Sequence, residues 1–140
     1  MASHRLSDST RLIVSGGDDG SIAVLLAGRT SMATAASIYA GPPVLLSRTH
    51  ASAVTACAIV QYQQGIFILT SGNDQWIRLW GVEMSDEGDV TVSRLSKVKT
   101  NVADVSSMGV LASEDRPDAR VVVCGVGMEV VRVELGETPE

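Results

Sequence analysis

The groups in this 140-residue chain that could do chemistry are few: the imidazoles of His4 and His50, the thiols of Cys57 and Cys124, and the adjacent carboxylates of Asp18 and Asp19. Nucleophilic catalysis needs a base within hydrogen-bond reach of the nucleophile. No serine lies in a Gly-x-Ser-x-Gly elbow, and neither cysteine has a histidine partner nearby in the sequence. The run Gly16-Gly17-Asp18-Asp19-Gly20 has carboxylates for a cation, but calcium coordination requires alternating acidic ligands and a closing glutamate that are missing here. A hairpin turn accounts for it. Gly125-Val126-Gly127 lacks the third glycine of a dinucleotide loop and leads into strand-like Val130-Val131-Arg132-Val133, not a helix. Cys57 and Cys124 show no Cys-x-x-Cys or Cys/His ligand spacing. Thr138-Pro139 is the one candidate modification site, a proline-directed dipeptide in the tail. The chain is therefore expected to be non-catalytic, with no cofactor and no metal.

Composition bounds what can position these groups. Hydrophobic residues make up 45% of the chain and charged residues 19%, too apolar for disorder. Aromatic content is only 4%, so the core must rest on Val, Leu, Ile and Ala, and the β-branched share favours strands. A net charge of −5 repels phosphate backbones and anionic membrane surfaces on average. One basic cluster, Arg94, Lys97 and Lys99, interrupts that trend; it reads as a solvated strand face and remains a candidate contact patch. Two lone, separated cysteines make no disulfide framework, which points to a reducing compartment. Met1 to Arg5 lacks an apolar signal core, and the longest apolar run, Ile22 to Ala27, is too short to span a bilayer. A cytoplasmic protein without a membrane contact is expected.

The positioning elements emerge from an internal repeat. Ser15-Gly16-Gly17-Asp18-Asp19-Gly20-Ser21-Ile22-Ala23-Val24-Leu25-Leu26 aligns without gaps on Thr70 to Gly81, an offset of 55 residues that sets Asp19 on Asp74 and Leu25 on Trp80. A weaker third copy spans Val121 to Val133, its turn holding glycines but no aspartate. Each copy is a strand, a turn rich in Gly, Asp or Asn, and a second strand, the pattern of a β-hairpin. Ahead of the second copy, Val44 to Arg48 and Val54 to Val60 read as an outer and an inner strand around His50. Ahead of the third, Val90 to Leu95 and Val102 to Leu111 play the same parts. Residues 27–43, small and Ala-rich and ending in Gly-Pro-Pro, read as an inserted surface loop with room for a helical turn. Residues 1–10 are expected to be a disordered leader and 136–140 a tail.

Thr70-Ser71-Gly72-Asn73-Asp74-Gln75-Trp76-Ile77-Arg78-Leu79-Trp80-Gly81, with His50 upstream, resembles the closing hairpin of a WD-repeat β-propeller blade. The resemblance implies an all-β fold in which His50, the turn aspartate Asp74, Thr70 and Trp80 form a buried hydrogen-bonded chain that fixes blade geometry. That set is structural and leaves no free imidazole base at His50. Residues 11–135 would hold about two to three four-stranded blades, whereas propellers typically need about four to eight to close. An incomplete ring is therefore expected, either the C-terminal part of a larger propeller or a partial ring closed by a partner. The match departs from the family pattern at Gly81, where an aspartate is usual, and at Thr49, where a glycine usually precedes the histidine.

The third repeat narrows the resemblance. Asn101-Val102-Ala103-Asp104-Val105-Ser106-Ser107-Met108, followed by Val123-Cys124-Gly125-Val126-Gly127-Met128-Glu129-Val130, is similar to the atypical last repeat of the WD-repeat partners of tRNA wobble-ribose 2′-O-methyltransferases. The resemblance implies a non-catalytic accessory subunit whose partner enzyme binds the methyl donor and methylates the ribose of tRNA nucleotide 34. Because the chain is acidic, tRNA contact is expected to run through the complex. The alternative is a generic WD-repeat adaptor in trafficking, ubiquitin ligation or chromatin.

Overall fold

The computed structural model describes residues 1–30 and 37–136. Its elements are all strands: β1 (Ala2–Arg5), β2 (Thr10–Gly16), β3 (Ile22–Thr30), β4 (Ser37–Ala40), β5 (Val44–Leu46), β6 (Val54–Tyr62), β7 (Gly65–Gly72), β8 (Trp76–Met84), β9 (Val90–Lys99), β10 (Ala103–Leu111) and β11 (Asp118–Glu134). Among the described residues no helix is long and apolar enough to cross a membrane. The strands form three antiparallel sheets. The first runs β1-β2-β3-β4 with β5 also paired to β3, the second runs β6-β7-β8-β9, and the third joins β10 to β11.

Strand β11 doubles back on itself. An extended run of 17 residues would reach roughly 57 Å, yet the Leu135 N–H donates to the carbonyl of Pro117 at 2.7 Å. The reversal falls near Gly127, whose φ of +100° is open to glycine and strained for other residues. The third sheet therefore has three passes of chain.

Alternating side chains explain how the sheets stack. In the second sheet Ile66, Ile68, Trp80 and Val82 point one way, against Leu12, Val14, Ile22 and Val24 of the first sheet. Leu69, Ile77 and Leu79 point the other way, against Val105, Val121, Val123, Val131 and Val133 of the third. Full burial of each such side chain contributes about 1.5–3 kcal/mol, so the two interlayer cores are the main source of cohesion. The all-β expectation holds.

Two boundaries expected from the sequence are corrected. Residues 1–10 are not a disordered segment: β1 pairs with β2 from Ala2↔Val14 to Arg5↔Arg11, giving the first sheet a strand ahead of β2. The 27–43 insertion is not a plain loop, because β3 continues to Thr30 and pairs with β4 from Ala27↔Ala40 to Thr30↔Ser37. Backbone pairing builds both segments, and in β1 and in β3 beyond Leu26 the residues are small or polar and carry little strand signal of their own. The helical turn expected in the insertion falls on residues 31–36, and the dipeptide Thr138-Pro139 on the tail; both lie outside the described residues.

Candidate functional site

The second sheet holds the polar centre of the molecule. Asp74 occupies the β7–β8 turn, where its Oδ1 accepts the Trp76 N–H at 3.1 Å and closes the turn over a tight backbone. Its carboxylate also meets His50 Nδ1 at 3.0 and 3.1 Å and accepts the Ala51 N–H at 3.0 Å. His50 lies on the connection between β5 and β6, and its other nitrogen, Nε2, is 2.8 Å from Thr70 Oγ1 on β7. Trp80 on β8 completes the line by donating its Nε1–H to the same Thr70 oxygen at 3.0 Å. The structure thus brings together all four residues singled out in the sequence: His50, Thr70, Asp74 and Trp80. His50, Thr70 and Trp80 are buried.

Donor chemistry fixes the direction of the relay. An indole nitrogen can only donate, so Thr70 Oγ1 accepts from Trp80 and its own hydrogen goes to His50 Nε2. That leaves Nε2 as the acceptor and puts the ring proton on Nδ1, facing the Asp74 carboxylate. A protonated imidazole would present two donors and strand the Thr70 hydroxyl hydrogen. In agreement, burial pushes the His50 pKa below its ordinary value, against the raising influence of Asp74 and helped by nearby Arg78. For Asp74 burial alone would raise the pKa, but the combined hydrogen bonds from His50, Ala51 and Trp76 hold it below the usual carboxylate range. An aspartate held ionised and a histidine held neutral make a rigid brace with no free acid or base.

The first hairpin keeps the frame of this arrangement without its relay. The pairs Gly16↔Ile22 and Ile13↔Leu25 map onto Ser71↔Ile77 and Ile68↔Trp80 by the same 55-residue offset. Asp19 Oδ1 accepts the Ser21 N–H at 3.0 Å, as Asp74 does from Trp76. Leu25 in place of Trp80 removes the donor that would extend the line.

Each turn also holds the chain entering the next sheet. The carbonyl of Gly20 accepts the backbone N–H groups of Thr49 and His50, and the carbonyl of Gln75 accepts the N–H of Thr100. Gly20 and Gln75 are 55 residues apart and both have positive φ. Thr49, the departure noted in the sequence, adds its Oγ1 hydroxyl to the Gly20 carbonyl at 2.7 Å.

One bracing residue was missed in the sequence. The third turn lacks an aspartate, but Glu129 Oε2 accepts from Thr100 Oγ1 at 3.0 Å and from the Asn101 N–H at 2.7 Å. These partners, a side chain and the next backbone amide, match those of Asp74 at His50 and Ala51. The usable signal was an acid two residues past Gly127 with a Thr-Asn pair entering the sheet.

The remaining reactive groups stand apart. His4 Nε2 is 3.2 Å from the Gln61 side-chain oxygen in an exposed contact. Burial pushes the Cys57 thiol pKa up, which suppresses the reactive thiolate, and Cys124 is a half-buried free thiol. Among the described residues no three His, Cys, Asp or Glu side chains converge as a metal site.

No protein-family model matches this chain, and no curated protein matches it.

Proposed function

We propose that the chain is a section of a WD-repeat β-propeller that serves as a non-catalytic scaffold, its partner being a tRNA wobble-ribose 2′-O-methyltransferase. The observation that carries the scaffold class is the braced turn of the second sheet: His50, Asp74, Thr70 and Trp80 consume one another's hydrogen-bonding capacity and leave a rigid frame. The 55-residue repeat of hairpin register supports blades as the repeating unit. Met128 and Val130, outward on β11, and Leu111 on β10 are exposed apolar groups, which suits a sheet that packs against a further blade. The methyltransferase assignment rests on the blocks 101–108 and 123–130 described above.

Affinity capture of the tagged full chain from cytosol tests this reading. Recovery of a 2′-O-methyltransferase supports it, and recovery only of coat or ubiquitin-ligase subunits replaces it with the generic adaptor. A gel shift tests the indirect route to tRNA: tight, strongly salt-dependent binding of tRNA by this chain without the enzyme would sink that clause.

A further inference from the structure

Four of the chain's eleven basic residues meet on one face of β8 and β9. Register places Lys99 beside Trp76, Lys97 beside Arg78, and Arg94 beside Trp80, a bulge having taken up one residue of β9 between the last two rows. Directly paired residues share a face, and successive rows on one face are about 6.8 Å apart. The three exposed cations therefore line β9 over about 14 Å, with half-buried Trp76 and Arg78 beside them on β8 and buried Trp80 marking where this face passes under the first sheet. Lys97 Nζ stands 4.3 Å and Lys99 Nζ 5.9 Å from the centre of the Trp76 ring, and the Arg94 guanidinium lies 5.6 Å from that of Trp80. Indoles hold these groups in place, so less side-chain freedom is lost when an anion arrives. Among the described residues none of the four cations forms an ion pair, and the buried Nε of Arg78 has no hydrogen-bond partner. Arg94, Lys97 and Lys99 are exposed.

We propose that this face, formed by Trp76, Arg78, Arg94, Lys97 and Lys99, is a docking strip for an extended acidic peptide segment of a partner protein. Such docking presupposes the scaffold role proposed above and names the chemistry of one partner segment. An extended peptide repeats its same-face side chains at the row spacing of the strip, so alternate carboxylates fall on successive cation rows. A nucleic acid fits less well. Its binding draws on many phosphates at once, the strip is short, the chain carries a net charge of −5, and Asp86, Glu87 and Asp89 crowd the β8–β9 connection. The lysines already occupy the Trp76 ring that a base would stack on. Edge-strand lysines also discourage stray strand pairing, but that duty needs no arginine on the inner strand β8 and no indole beside it.

Fluorescence anisotropy of the full chain with a labelled peptide of alternating Glu and Val tests the strip, an alternating Lys-Val peptide and an oligouridylate serving as comparators. Saturable binding of the Glu-Val peptide is expected, with affinity about tenfold weaker in the Lys97→Glu, Lys99→Glu variant and retained in Lys97→Arg, Lys99→Arg. If charge reversal disturbs the far-ultraviolet circular dichroism, Lys97→Gln with Lys99→Gln reads the same loss. Absence of saturable binding, equal binding by the variants, or preference for the oligouridylate or the Lys-Val peptide overturns the proposal. Peptide binding without capture of a methyltransferase would leave the strip standing and remove that partner; capture without peptide binding would do the reverse.

Discussion

His50 Nε2 lies 2.8 Å from Thr70 Oγ1, and because Trp80 already donates to that oxygen, the threonine hydrogen must point to the imidazole. The neutral ring that results makes stability depend on pH. The folded-state pKa of His50 is lowered by burial, so the unfolded chain takes up this proton first. Its contribution is complete above an unfolded value of about 6.5 and is lost as pH falls toward the folded one. Asp74 is also lowered, so its contribution persists above about 3.8 and is lost as pH falls through its folded value. Urea midpoints should fall in two stages, the first setting in as pH drops below about 6.5, and His50→Gln should flatten that first stage while lowering the whole curve. A wild-type midpoint that stays constant as pH falls from neutral until the carboxylates begin to titrate would contradict the neutral tautomer.

Trp80→Phe keeps most of the apolar volume between the first two sheets but removes the indole donor to Thr70. A buried partner left short of a hydrogen bond costs roughly 1–3 kcal/mol. Equilibrium urea unfolding should show a loss in that range with an unchanged denaturant slope. An unaltered midpoint would mean that the relay contributes nothing to the frame.

Much of this architecture was legible in the sequence, for a physical reason. Hairpins announce themselves through alternation and turn chemistry, both local, so β2–β3 and β7–β8 could be read from Asp19, Asp74 and the apolar residues around them. Strand β1, Ala-Ser-His-Arg, has no β-branched residue and exists because β2 offers it an open edge. The extension of β3 through Ala27 and Gly28 is likewise made by pairing with β4. The relay was nameable only through the resemblance of Thr70 to Gly81, with His50 upstream, to a WD-repeat hairpin. Glu129 was not, since its role depends on where Thr100 arrives in space. The strip on β8 and β9 needed the register across the bulge, which brings Arg78 beside Lys97.

Gly20 should be irreplaceable while Gln75, at the equivalent position, should not. Both have positive φ, but a Cβ at Gly20 would overlap the His50 carbonyl and come within 3.0 Å of that of Ser52. Left-handed strain costs about 1–2 kcal/mol for an alanine, and forced displacement of packed backbone adds roughly 1–3 kcal/mol. Gly20→Ala should therefore lower stability by about 3 kcal/mol, whereas Gln75→Ala should stay within about 0.5 kcal/mol of wild type, losing only a long contact to the Asn101 carbonyl. A Gly20→Ala loss no larger than the left-handed strain of about 1–2 kcal/mol would show that crowding against His50 and Ser52 adds nothing.

Glu129 offers the sharpest separation between a brace and a bystander, because the carboxylate lies just past the β11 reversal and its partners lie on the connection between β9 and β10, 28 residues earlier for Asn101. Thr100 is fully buried, and its hydroxyl both donates to Glu129 and accepts the Val102 N–H at 3.2 Å. Removing the carboxylate leaves the hydroxyl hydrogen and the Asn101 amide to find other acceptors. Glu129→Ala should cost about 1–2 kcal/mol, near the lower end for charged hydrogen bonds because Glu129 is half-buried. Glu129→Gln keeps an acceptor oxygen on the same stem and should recover more than half of that loss. Glu129→Asp, a methylene too short to span from β11 to Thr100, should behave like alanine. If all three variants unfold at the wild-type urea concentration, the contact is incidental and the third sheet is held by its valines alone.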